Sequence, residues 1–263
     1  SDYMIGVLIR EGLLQELDAS KLPNNKNLDA GLIEAYGDAV KYVVPYQMGT
    51  QAIVYNSETV DTPPTSWADL WSSEYEGRIV AVDDNRVVIG AALLTLGYDV
   101  NTTDETQLGE AKQKLIELMP NIRVFDSDSP KTPLLAGDVD LGIVWNGEAF
   151  LAQQENPAFK YVFPSEGSII FYDGMGIPNN APHPDASYAW FNYMLQGDLS
   201  WLTLVDYPYT SPNAAALEYA KANQTEVYDA YMASTVTNTP AEEFKKGHEV
   251  KDLGAALSLY DEI

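Results

Sequence analysis

The chain has no cysteine, only two histidines and four arginines among its 263 residues, and no long hydrophobic run. Each shortage closes off a class of chemistry. Without cysteine there is no disulfide, no thiolate nucleophile, no iron–sulfur cluster and no thiolate zinc site. The histidines, in Pro182-His183-Pro184 and after Lys245-Lys246-Gly247, read as a turn residue and a surface residue, because a metal centre converges several donors. The most apolar stretch, Val87 to Gly97, is broken by Gly90 and Thr95 and falls short of the roughly 20 residues of a helical membrane span. Fifteen Lys+Arg against 39 Asp+Glu, a formal charge of −24, leave little with which to neutralise a phosphate backbone, so no nucleic-acid partner is expected. An acidic field suits a cationic partner, and it equally serves solubility.

Hydrophobic residues make up 46% of the chain, enough for one large α/β domain or two lobes of roughly 100–150 residues each. Short apolar runs alternate with amphipathic ones, the pattern of an α/β fold. Arg78–Val82 and Leu141–Trp145 read as strands running into helices at Val87–Leu96 and from Asn146 through Gln153. Asp104–Met119 carries Leu108, Ala111, Leu115 and Leu118 on one stripe and stops at Pro120, and Ile122–Phe125 follows as a strand. Ser66-Trp67-Ala68-Asp69 has capping-box spacing. Ile169 to Ile177 reads as extended, and late helices are expected at Asp185–Gln196, Leu199–Val205, Pro212–Ala222 and Leu253–Ile263.

Catalytic signatures are missing: no Walker loop, no Gly-x-Gly-x-x-Gly, no Gly-x-Ser-x-Gly and no His-Glu-x-x-His. Asp126-Ser127-Asp128 opens like a calcium loop but fails at Pro130 and at Lys131, where the sharp turn needs glycine. No metal, cofactor or catalytic residue is therefore assigned. What remains is a set of carboxylates and aromatics at strand ends, where open α/β sheets place ligands. Asp84 follows one strand, Trp145 closes another with Glu148 three residues on, and Asp173 interrupts the apolar run Ile169-Ile170-Phe171-Tyr172. Each has a plain structural reading beside the functional one: Asp84 as a helix N-cap, Trp145 and Phe171 as core, Glu148 as a solvated first-turn residue, Asp173 as half of an ion pair.

Six ordered stretches carry a more specific signal: Tyr42-Val43-Val44-Pro45-Tyr46-Gln47-Met48-Gly49-Thr50, Ser66-Trp67-Ala68-Asp69-Leu70-Trp71, Asp83-Asp84-Asn85-Arg86, Leu118-Met119-Pro120-Asn121, Gly142-Ile143-Val144-Trp145-Asn146-Gly147 and Pro164-Ser165-Glu166-Gly167. In this order they resemble the bacterial spermidine/putrescine-binding proteins of ABC importers over essentially the whole chain. The resemblance implies a two-lobed type II periplasmic-binding-protein fold crossed at Pro45–Thr50 and Ile169–Ile177. Its first lobe would comprise residues 1–48 and 172–217, and its second 49–171 and 218–263. Ser1-Asp2-Tyr3-Met4 and Glu11-Gly12-Leu13-Leu14-Gln15 would then match the family's third strand and following helix, which implies an N-terminally truncated first lobe.

The same resemblance implies a non-enzymatic protein of the periplasm or the extracellular face of the bacterial cell membrane, holding putrescine or spermidine in an acidic, aromatic-lined interlobe cleft. It would deliver the polyamine to permease subunits, peripheral to the membrane through them or through an N-terminal anchor. Asp84 and Asp173 match ammonium-binding aspartates, Trp145 and Phe171 aromatic walls, Tyr209 a cleft tyrosine, and Ser1 and Tyr3 first-lobe contacts. Val87 stands where spermidine binders carry a ligand glutamate, Val250 where a glutamine is expected, and Glu148 where putrescine binders place an aspartate. The alternatives are a carboxylate-pair hydrolase using Asp84 with Asp173 or Glu148, or the same fold with another small organic solute.

Overall fold

The computed structural model describes residues 2–263, so Ser1 lies outside the described residues. By its contacts the chain forms two compact units, unit 1 made of Ser1–Met48 with Phe171–Asn238 and unit 2 of Gly49–Ile170 with Thr239–Ile263. In chain order the elements begin with α1 (Asp2–Arg10), α2 (Ala30–Ile33) and the long strand β1 (Val43–Asn56), inside which the chain passes into unit 2. There follow β2 (Ile79–Ala81), α3 (Asn85–Thr95), α4 (Glu105–Leu118), β3 (Ile122–Phe125), α5 (Lys131–Leu135), β4 (Leu141–Trp145), α6 (Asn146–Glu155) and β5 (Phe159–Val162). Strand β6 (Ile169–Gly176) leads back to unit 1, which continues with α7 (Pro184–Met194), α8 (Gly197–Asp206), α9 (Ala214–Asn223) and α10 (Thr225–Ala233). Unit 2 is completed by α11 (Ala241–Lys246), β7 (His248–Glu249) and α12 (Ser258–Asp261).

The strand order is β3-β2-β4-β1-β6-β7, with β5 also on β1. In unit 2, β2 runs parallel to both β3 and β4, while β1 is antiparallel to β4 and β5. Strands β2 and β4 are apolar along their length, as expected where both faces are covered, and Val80, Ala81, Ile143 and Val144 are fully buried. Gly142 belongs to this packing, since a Cβ there would collide with the Val80 carbonyl. Helix α3 is buried from Arg86 to Leu94, which explains why its sequence shows no polar stripe. Helix α4 takes the expected amphipathic form, burying Leu108, Ala111, Leu115 and Leu118. Ser66 makes the expected capping box, though the turn it starts is a 3-10 helix, Trp67–Trp71.

The hydrophobic residues of unit 1 gather in several smaller clusters. Leu22, Leu28, Val44, Ile177, Tyr188, Phe191 and Leu195 form one. Trp201, Leu204, Ala216, Ala220 and Tyr231 form another, and Ile5, Leu14, Tyr36 and Val43 a third.

Three expectations about local structure are corrected. The segment expected to open as a strand is helix α1, because Ile5, Leu8 and Ile9 recur at helical spacing and pack with Tyr36 and Val43. Glu11–Gln15, expected as a helix, turns at Gly12 (φ 65°) and runs extended, with Leu14 bridged to Pro178 and the Gln15 amide donating to the Ile177 carbonyl at 2.8 Å. The last segment is not one helix from Leu253: Gly254 sits at φ 58°, its amide tied to Asp252 Oδ1 at 2.9 Å, and only a 3-10 turn, Gly254–Leu257, and the four residues of α12 follow. Residues 218–238 cluster with unit 1, because α9 and α10 bury Ala220 and Tyr231 against Trp201 and Leu204 of α8.

Candidate functional site

In unit 2 the three parallel strands deliver their carboxyl ends to one edge. The Asp126 amide donates to the Ala81 carbonyl at 2.9 Å and the Val82 amide to the Ile143 carbonyl at 3.2 Å, so the chain leaves β2, β3 and β4 side by side. Asp84, Ser127 and Trp145 follow directly on these ends. The edge is the place where open α/β sheets bind ligands.

Asp84 is the N-cap of α3: Oδ1 accepts from the Arg86 amide at 3.0 Å and the Val87 amide at 3.4 Å. Its structural reading is therefore realised, and both cap bonds use Oδ1. Burial pushes the Asp84 carboxyl above the usual aspartate value, against the pull of the two amides and of the Arg86 guanidinium. A carboxylate kept partly dry and short of cationic compensation is a poised acceptor for an ammonium group. Asp83, Asp84 and Asn85 also border a pocket of about 410 Å³ walled by Val88, Leu115, Phe125 and Tyr260; Trp145 and Glu148 are not on its walls.

Trp145 is half-buried at the end of β4, opposite Gln51 of β1 in the strand register. Glu148, one helical turn further, is not the solvated residue its position suggests. It is 5% exposed, and its carboxylate accepts from Lys131 Nζ at 2.7 Å.

Sequence reading missed two features of this unit. Arg86, next to Asp84, is 1% exposed: its guanidinium lies 4.2 Å from the centre of the Tyr260 ring and donates to Asn101 Oδ1 at 3.1 Å and to the Lys251 carbonyl at 3.2 Å. It ties the start of α3 to the last segment of the chain. Ser127 Oγ is buried with no hydrogen-bond partner, a cost of about 1–3 kcal/mol that a ligand donor or acceptor would relieve. Only the Asp126-Ser127-Asp128 spacing pointed here, and that turn is used locally, with Asp126 Oδ1 accepting from the Asp128 and Ser129 amides.

In unit 1 the residues stand on β6 and on the loop before α9. Phe171 and Asp173, two apart on a strand, face the same side. Phe171 meets Tyr209 edge to face, with ring centres 5.7 Å apart. The hydroxyl of Tyr36 lies 2.9 Å from the carbonyls of both Gln47 and Asp173, and its ring packs on Tyr172 at 5.3 Å, so the backbone at Asp173 is fixed. The charge of Asp173 adds to burial in raising the pKa of Tyr46. Behind Tyr209, the Tyr231 hydroxyl donates to the Tyr209 carbonyl at 2.6 Å and accepts from the Ser211 amide at 3.1 Å. Burial holds Tyr231 far above the ordinary tyrosine pKa, so the donor is retained. Tyr3 is partly exposed on the first turn of α1. Asp84, Trp145 and Glu148 thus stand in unit 2, and Phe171, Asp173 and Tyr209 in unit 1, where the Phe171 and Tyr209 rings meet. Val87 and Val250, the two departures, are buried apolar residues.

The fold is that of the type II periplasmic binding proteins. The chain belongs to the family described as bacterial extracellular solute-binding protein, whose family model matches residues 1–233. It is 38% identical over 265 residues to the spermidine/putrescine-binding periplasmic protein of Escherichia coli K12, covering all of this chain and 74% of that one. Spermidine/putrescine-binding periplasmic protein 1 of Haemophilus influenzae is 33% identical, again over the whole chain and 71% of the relative. Among solved structures, a putative spermidine/putrescine ABC transporter from Listeria monocytogenes superposes with a TM-score of 0.91 at 31% identity, covering 99% of this chain and 80% of that one. Members of this family bind solutes outside the cytoplasm rather than transform them.

Proposed function

We propose that this chain is the polyamine-binding component of an ABC importer, with putrescine or spermidine as ligand and permease subunits as the partners that receive it. In this reading the two compact units are the two lobes. Asp84 and Asp173 take the ammonium groups, while Trp145, Phe171 and Tyr209 pack the methylene chain, with Tyr3 and Ser1 as further contacts. The observation that carries the reading is a half-buried aspartate in each unit, Asp84 capping α3 and Asp173 two residues from Phe171, whose ring meets Tyr209, in a chain whose relatives are named for spermidine and putrescine.

The chemistry is consistent in size. A micromolar complex needs about −8 kcal/mol. A desolvated ammonium on an aromatic face contributes roughly 0.5–2 kcal/mol, and charge-assisted hydrogen bonds contribute about 1.5–3 kcal/mol each. Two ends and a packed chain reach that range after the ordering cost of a flexible ligand. Titration calorimetry with putrescine and spermidine is the test: saturable binding of at least one, lost in Asp173→Asn, is expected. Absence of heat and of any thermal shift with both amines overturns the assignment.

A further inference from the structure

Unit 2 shows little apolar surface, and what it shows is gathered in one place. Among the described residues its exposed large hydrophobic side chains are Ile116 of α4, Met119 of the turn after it and Phe125 of β3, and all three border the pocket of about 410 Å³ beside Asp83. Single hydrophobic residues scattered over a surface need no explanation, but a patch of them around one cavity marks a binding surface. Deeper walls are supplied by Val88 and Leu115, both buried, and by Tyr260, whose hydroxyl lies 2.9 Å from the carbonyls of both Val100 and Thr102 and so holds its wall in place. The volume is that of a small-molecule site. Every lining residue belongs to unit 2.

The charges of the pocket stand on its solvent side. Asp83 and Asp261 are exposed and Asp84 is half-buried, while the one cation among the described lining residues, Lys112, donates to the Glu262 carbonyl at 2.5 Å. Three carboxylates against one ammonium give the mouth a negative field, which attracts a cation and repels an anion. A slender diamine would have to drive its second ammonium against apolar walls, at a desolvation cost nothing there offsets. The chemistry that fits has one charged end and one compact apolar end.

We propose that this pocket is a second binding site, for a hydrophobic monoamine of the arylalkylamine class, its ring among Val88, Leu115, Met119 and Phe125 and its ammonium at Asp83 and Asp261. Met119 and Phe125 suit a ring, because thioether sulfur is drawn to aromatic edges and aromatic pairs meet edge to face. The site goes beyond the polyamine reading and does not depend on it. Asp84 borders the pocket and also serves in that reading, so competition belongs in the test.

The wild-type chain is titrated with phenethylamine and with phenylpropionate, followed by calorimetry and by the Met119 methyl signal in NMR, and the titration is repeated on Phe125→Ser and Met119→Lys. Both side chains are exposed, so both variants are expected to fold, which melting curves check; if one does not, the other decides. The amine is expected to bind saturably, to shift the Met119 methyl and to outbind the anion by about 10-fold, the scale of one ion contact near the surface. Phe125→Ser should weaken it about 5-fold through lost apolar contact, and Met119→Lys, which sets an ammonium in the mouth, should abolish it. Excess putrescine should leave the Met119 shift in place. Anion binding as tight as amine binding, displacement of the amine by putrescine, or unchanged affinity in a folded variant overturns the proposal. So does absence of amine binding at about 10 mM; self-association that Met119→Lys abolishes would then assign the face to contact between copies of the chain.

Discussion

The two units hold their candidate residues by different means. In unit 2, regular structure does the positioning: Asp84 and Trp145 are where β2 and β4 end, and the amides of α3 fix the aspartate. In unit 1 the positioning comes from tyrosine hydroxyls bonded to distant carbonyls. Tyr36 reaches Asp173, 137 residues away, and Tyr231 reaches Tyr209 from the last turn of α10. The lesson is that a strand end is a local property, readable from a run of apolar residues, whereas a phenol on a carbonyl exists only after the chain has folded back.

The contrast breaks or sharpens under substitution. The largest effect is expected from the cores. Leu93→Ala, inside fully buried α3, should cost about 2–5 kcal/mol, and Trp201→Ala, which also loses its bond to Gln224, about 3–5 kcal/mol. If the units are independently stabilised, calorimetric scans show two transitions and each variant lowers one. A single transition lowered by both substitutions erases the distinction.

A smaller effect is expected from Tyr231→Phe, which removes the donor to Tyr209 and the acceptor for Ser211 and should cost about 1–3 kcal/mol. Polyamine affinity should fall with it, since Tyr209 is no longer held. Unchanged affinity in the folded variant shows that the loop needs no such support.

Smallest in stability is Asp84→Asn. Asparagine caps a helix as well as aspartate does, and it removes a carboxyl whose native pKa burial has raised. A raised native pKa means the folded state holds the proton more tightly. That contribution to stability is fully present below the ordinary value of 3.8 and is lost as pH rises through the native value. At pH 7 the variant should therefore melt at the same temperature or higher, with polyamine binding lost; at pH 3 the difference should vanish. A lower melting temperature at pH 7 would show that the ionised form is stabilised after all.

Much of unit 2 was legible because its periodicities are local: the stripe of α4, the apolar runs of β2 and β4, and the capping box at Ser66 all appear in the sequence as they do in the fold. The Asp84 cap was legible for the same reason. The opening residues were not, since Asp2–Arg10 makes sense as a helix only against Tyr36 and Val43. Neither was the fate of Glu148, because its partner Lys131 opens α5, 17 residues earlier, with β4 between them. Arg86 carried no reading of its own in the sequence; only the fold brings Tyr260, Asn101 and Lys251 around it.

The chain passes from one unit to the other three times, and two of the passages fall inside strands, Met48 to Gly49 within β1 and Ile170 to Phe171 within β6, while the third, Asn238 to Thr239, precedes α11. Neither unit is a module that recombination can exchange with a single cut. A chimera with a relative requires three simultaneous splices, two of them in register within strands, for a slip of one residue would turn every following side chain of the strand to the opposite face. Ligand preference in such a chain is therefore expected to drift by point substitution rather than by shuffling of halves.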